Sequence, residues 1–133
     1  MNPRYPLVSQ RAAHHCEYCR APEAIFNFPF EIEHIIPLSQ NGTDDEANLA
    51  LSCRSCNIHK TDRLTGFDET TQTEVRLFHP RRDRWEEHFR MEPETASIQG
   101  MTAVGRATVM LLQMNNSIQL AARSRWLQIG LFP

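Results

Sequence analysis

An α+β fold follows from three features of the sequence. Two Cys-x-x-Cys pairs, Cys16–Cys19 and Cys53–Cys56, bracket a short segment. Inside that bracket, Phe26 to Ile36 (FNFPFEIEHII) and Asn48 to Ser52 (NLALS) read as strands, and a helix is expected from about Ser55. Further on, Val104, Thr108, Leu111 and Leu112 fall at helical spacing. Together these predict a ββα unit over residues 1–66 closed by a four-cysteine zinc site. A mainly helical extension over residues 67–133 is expected to pack on it as part of one compact domain.

Taken in order, residues 2–13 read as an arm or short helix leading to the first cysteine pair. Phe26, Phe28, Phe30, Ile32 and Leu49 are the expected small core of the hairpin. Residues 39–47 are polar and contain the turn signal Asn41-Gly42, and Thr43 with Glu46 resembles a capping box for one helical turn. The helix that begins near Ser55 should stop near Gly66. Thr70, Thr71 and Thr73 suggest a loop or extended connection, and residues 83–89 (DRWEEHF) look helical. Residues 96–99 are a candidate strand, a helix is expected over 102–114, and a last helix capped by Ser117 should run to Gln128. Nothing near Gly66 is long, Ser-rich or charged enough to be a flexible linker. Trp85 and Trp126 could stack on bases, but each lies in an amphipathic helix and the core is the favoured reading.

With 133 residues, the chain has room for one core and an extension. No apolar run is long enough for a membrane span, and the N-terminal residues lack the apolar region of a secretory signal; the expected compartment is the cytosol. In that setting two Cys-x-x-Cys pairs favour metal over disulfides. Four thiolates close a tetrahedral shell and leave no position for substrate, so the zinc would be structural. Redox chemistry at one pair would need a thioredoxin-like context, which is absent. His14 and His15 abut the first pair but are not expected as ligands.

The formal charge of −2 argues at first against a nucleic-acid partner. Of the fourteen basic residues, however, Lys60 is the one lysine and the rest are arginines, whose planar forks match phosphate and carboxylate alike. From Thr95 to Pro133 there is no Asp or Glu, while Arg106, Arg123 and Arg125 are present. Two readings stay open: a basic face, or arginine–carboxylate pairs within the fold.

The run Glu33-His34-Ile35-Ile36-Pro37-Leu38-Ser39, then Asn48-Leu49, then Cys53-x-x-Cys56-Asn57-x-x-Lys60, resembles the zinc-containing HNH endonucleases of the ββα-metal type. The resemblance covers about Cys16 to Lys60; residues 78–89 and 105–115 also look like the C-terminal part of some bacterial members, with no role assigned. It implies a metal-dependent nuclease in an H-N-N variant: His34, Asn48 and Asn57. Phosphodiester hydrolysis needs an activated water and stabilised charge on the phosphate, and an imidazole can take a proton near neutrality. The resemblance makes His34 the general base, Glu33 and Asn57 oxygen ligands of a catalytic Mg²⁺ or Mn²⁺, and Asn48 a brace for the loop. Glu33 and His34 are neighbours in a strand, so both can serve one site only if the strand ends or twists there.

His59 is either an alternative ligand or phosphate contact, or a solvent-facing helical histidine, the favoured reading. Lys60 either helps phosphate binding or knuckle packing, or lies on a solvated helix face. Arg81, Arg82 and Arg84 form the densest basic cluster, and the two readings are a phosphate-tracking patch and a solvated helix start. The expected partner is nucleic acid, DNA in preference to RNA, and no membrane. The competing function is a zinc-stabilised nucleic-acid-binding module without catalysis.

Overall fold

A computed structural model describes residues 2–132. The chain opens with helix α1 (Tyr5–Arg11), which has proline in its first turn, where no N–H is missed, and Arg11 in its last turn, against the helix dipole. Strands β1 (Glu31–His34) and β2 (Leu49–Ser52) pair antiparallel in the register Glu31↔Ser52, Ile32↔Leu51, Glu33↔Ala50 and His34↔Leu49. Helix α2 (Arg54–Lys60) follows directly, giving the expected ββα order.

The first strand is shorter than the aromatic run that announced it. Residues 23–25 form a 3₁₀ turn, and Pro29, which has no N–H to give a ladder, precedes the strand. Phe30 and Leu49 are buried as expected, and Ile32 is half-buried. Phe26 and Phe28, in contrast, lie outside the hairpin and are 38% and 55% exposed; Phe26 packs edge-on against Phe30 and Trp126.

Between β1 and β2 the loop folds tightly over its own start. Asn41 takes a left-handed φ of 68°, and a Cβ at Gly42 would sit 1.7 Å from the Ile36 carbonyl oxygen, so only glycine fits there. The helical turn expected after Thr43 is a 3₁₀ turn at Glu46–Asn48.

Helix α2 stops at Lys60, earlier than expected, because Thr61 turns to a φ of 52°. Gly66, read as the helix stop, instead lies in β3 (Thr65–Asp68), which pairs with β4 (Thr73–Arg76). The threonine-rich connection is therefore a hairpin. Helix α3 is a single turn (Trp85–His88), and β5 (Phe89–Met91) pairs with β6 (Ile98–Gly100). Helix α4 (Ala103–Leu111) starts on Thr102, whose Oγ1 accepts from the Gly105 N–H at 3.0 Å. Gly105 is needed for close approach: its Cβ would lie 2.1 Å from the His88 carbonyl oxygen. Helix α5 (Ser117–Gln128) is capped one residue earlier than expected, by Asn116 accepting from Gln119 N–H. The extension thus combines helices with two small hairpins.

One cluster of buried side chains draws on both sides of position 66. Val8, Tyr18, Phe30, Leu49 and Leu51 meet Phe78, Phe89, Ile98, Leu112 and Trp126. Trp85 packs against it as expected and donates its Nε1–H to the Tyr18 carbonyl at 2.7 Å. No helix among the described residues is long and apolar enough to cross a membrane.

Candidate active site and zinc site

The turn after α1 and the turn from β2 into α2 bring Cys16, Cys19, Cys53 and Cys56 together, all buried, with their sulfurs within 4.8 Å of one another. Zinc–sulfur bonds of about 2.3 Å make a tetrahedron with sulfur–sulfur edges of about 3.8 Å. The Cys19–Cys53 separation is 3.7 Å. In each knuckle the second cysteine's N–H points at the first one's Sγ, at 3.5 Å for Cys19 to Cys16 and 3.4 Å for Cys56 to Cys53. Burial pushes Cys16 up, but hydrogen bonds from the other three outweigh it and hold it well below the usual thiol range; hydrogen bonding to Cys16 and Cys19 pushes Cys53 and Cys56 up. Four thiols this close can all ionise only around a cation, so the donor set fits zinc. Neither His14 nor His15 belongs to it: the Nδ1 of His14 meets Glu23 and that of His15 meets the Ala13 carbonyl.

The two faces of β1 separate the next residues. Glu33 is 5% exposed and accepts from the Tyr18 hydroxyl at 2.5 Å. Its Oε2 lies 3.3 Å from Lys60 Nζ yet has no hydrogen-bond partner. Burial pushes the Glu33 carboxyl up to about 7, against the lowering pull of Lys60 and Tyr18. Lys60 is 1% exposed and donates to the Ile35 carbonyl at 3.0 Å, so the solvated-face reading of this lysine is overturned. One turn earlier in α2, Asn57 donates its side-chain N–H to Glu31. Since Glu31 and Glu33 share a face of β1, Asn57 and Lys60 look onto that same face. No hydrogen bond joins Glu33 to Asn57 among the described residues. Glu33 and Asn57 are oxygen donors of the kind a hard divalent cation takes, but Glu33 Oε2 already faces the Lys60 ammonium and the Asn57 amide is engaged with Glu31.

His34, on the other face, ends the strand. Its Nε2 lies 2.6 Å from Asp44 Oδ1, in the β1–β2 loop, and its side chain is 25% exposed. A carboxylate accepts only, so Nε2 donates in this contact, and in the neutral imidazole Nδ1 is the acceptor. Asn48 ties the same loop together: its Oδ1 accepts from Ile36 N–H at 2.9 Å, and its Nδ2 donates to the Ile36 and Thr43 carbonyls at 3.0 and 2.8 Å. His59 is half-buried, and its Nδ1 meets the Ser55 carbonyl of its own helix at 2.7 Å.

Residues 16–63 match the model of the HNH endonuclease family. Over this segment, about a third of its length, the chain is similar to that family. No curated protein and no solved structure matches the chain.

The HNH segment ends before the arginines that the sequence offered as substrate contacts, and the structure divides them. Arg81 is ion-paired with Glu17 of the first knuckle and is only 16% exposed. It therefore joins the extension to the HNH segment, which corrects its reading as part of an exposed patch. Arg84 is 79% exposed and lies 4.0 Å from Glu87, and Arg82 is exposed. Of the arginines beyond Thr95, Arg123 is fully buried and Arg106 pairs with Asp68 through two contacts of 2.9 and 3.1 Å, so both serve within the fold.

Three residues at the HNH site escaped sequence reasoning. Tyr18 is hidden between the first two cysteines, where only its burial against Glu33 gives it meaning. Asp44 lies in a polar loop whose acids look interchangeable until the register of β1 and β2 is known. Glu31 shares its strand face with Glu33, a signal that alternation in EIEH did carry.

Proposed function

We propose that this protein is a nuclease that hydrolyses DNA phosphodiester bonds, with His34 as general base. The observation that carries the reading is the His34–Asp44 pair at the exit of β1. A carboxylate that fixes the imidazole's orientation and tautomer is the usual support of a histidine that takes a proton from a nucleophile. Nδ1 is then the atom that accepts the proton of the attacking water. Asn48 holds the loop that carries Asp44 close to the end of β1, and so holds the base in place. Glu33 and Asn57 would bind Mg²⁺ or Mn²⁺, which when bound stabilises the negative charge that gathers on the phosphate. The zinc held by the four cysteines fixes β2 and α2 relative to the first knuckle, and with it the frame on which these side chains stand.

A second reading has its own observation. The Lys60 ammonium already lies beside Glu33, as a built-in counter-charge would in a binding module without catalysis. Cleavage of plasmid DNA by zinc-loaded protein separates the two. The nuclease reading expects cleavage that needs added Mg²⁺ or Mn²⁺ and is lost in Glu33→Ala at unchanged zinc content. Binding without any cleavage under either ion supports the second.

A further inference from the structure

Beside the site runs a groove that the HNH segment forms only in part. Its larger section, about 440 Å³, is lined by Ile35, Ile36, Arg63, Leu77, His79 and Arg82 among others. A smaller section of about 230 Å³ continues past Thr43, Asp45 and Asn48, and the two share Ile36, His79 and Arg82. The groove thus begins at the residue after His34 and follows the loop that carries Asp44. Half of its wall, from Arg76 to Asp83, lies beyond the family match.

The cations along it differ in availability. Lys60 lies against Glu33, and Arg76 is held at both ends by Asp83, at 2.7 and 3.1 Å. Arg63 and Arg82 are exposed, and neither side chain makes a hydrogen bond or ion pair among the described residues. His79 accepts at Nδ1 from the Arg81 and Arg82 N–H groups, at 3.2 and 3.3 Å, which leaves Nε2–H as a donor. Burial, and then the charge of Arg82, hold this imidazole below its ordinary range, so near neutral pH it donates without carrying charge.

We infer that this groove seats the backbone of the DNA strand that leads to His34, with Arg63 and Arg82 as phosphate contacts and His79 Nε2–H as a neutral donor beside them. The inference rests on the nuclease reading for its substrate. In the larger section the other charges, Lys60, Arg76 and Asp83, are paired, so the two unpaired guanidiniums there complement a polyanion, while Asp45 in the smaller section is an exposed carboxylate that the strand must pass. The apolar part of the lining, Ile35, Ile36, Leu64, Leu77 and Phe78, suits the faces of the sugars between the phosphates. Arg82 is thus the member of the basic cluster that meets substrate, and Arg63, from the turn after α2, lines the same groove.

Fluorescence anisotropy with a labelled DNA duplex tests this. The full zinc-loaded chain is used without Mg²⁺ or Mn²⁺, so that binding is read without turnover. Arg63→Ala with Arg82→Ala should weaken binding by about tenfold or more at low salt. It should also lower the slope of log affinity against log salt by about 1.8, at roughly 0.9 for each phosphate that is no longer neutralised. Arg84→Ala, an exposed arginine outside the groove, should change neither. An RNA duplex of the same sequence should bind more weakly. Wild-type affinity and slope in the double variant would overturn the groove, and equal or tighter RNA binding would overturn its assignment to DNA. Both readouts are independent of cleavage, so the nuclease reading fails on a different measurement, the activity of His34→Ala.

Discussion

The two halves of this molecule solve the same problem with different chemistry. Each must tie together segments far apart in the chain around a small core. The HNH segment does so with four clustered cysteines suited to zinc, joining residues 16–19 to residues 53–56. The extension does so with guanidiniums. Arg123, fully buried, donates to the Ala96 and Met114 carbonyls at 2.9 and 2.7 Å and to Asn115 at 3.3 Å. Arg106 clamps the Asp68 carboxylate, which also holds the turn of the β3–β4 hairpin through Thr70 and Thr71. A metal staple is all or none, since losing one ligand opens the shell. A guanidinium staple is graded, because each hydrogen bond is one among several.

The largest effect is expected at the metal. Cys53→Ala should unfold the β1–β2–α2 region, because the binding free energy of a structural zinc is folding free energy. Zinc content measured on the purified variant, together with circular dichroism, checks this; an unchanged melting temperature would rule out a zinc staple. Arg123→Ala should come next. It leaves two buried carbonyls and Asn115 without their charged donor, at an expected cost of about 3 kcal/mol, read by chemical denaturation with zinc retained. A cost below about 1 kcal/mol would mean that water or a neighbour replaces the guanidinium.

The smallest effect concerns acid. The hydrogen bond from Arg106, and then that from Thr71, hold the Asp68 carboxyl well below the usual carboxylate range. A depressed carboxyl stabilises the fold above its unfolded value, about 4, and that contribution is lost as pH falls from there toward the folded value. Arg106→Ala should therefore lower the melting temperature at neutral pH and bring it closer to wild type in acid. A gap that stays constant from neutral pH into acid would contradict the pairing.

The contrast between the halves also explains what could be read from the sequence. Zinc demands ligands at fixed spacing, so Cys16, Cys19, Cys53 and Cys56 stand out in the sequence by spacing alone. Helix α4 was legible from its apolar periodicity, and α5 from the polar break before it, with its cap read one residue late at Ser117. The β3–β4 hairpin was not, because its strands carry Gly66, Asp68 and Glu74 and its stability comes from α4 packing on it and from Arg106. At the site, the candidate residues were visible but their partners were not. That Lys60 lies against Glu33, Asp44 against His34 and Arg81 against Glu17 depends on how separate elements meet, which no local pattern records.

The most direct test of the proposed mechanism is the rate of plasmid cleavage by His34→Ala, compared with wild type at equal zinc content and saturating Mg²⁺. Because His34 is only partly buried and its partner Asp44 is exposed, the variant should keep its fold and its DNA affinity. The expected result is a rate lower by roughly a hundred- to ten-thousandfold, the usual consequence of losing an acid–base group. Cleavage at near wild-type rate, in protein shown to be free of contaminating nuclease, would contradict the assignment of His34 as the base.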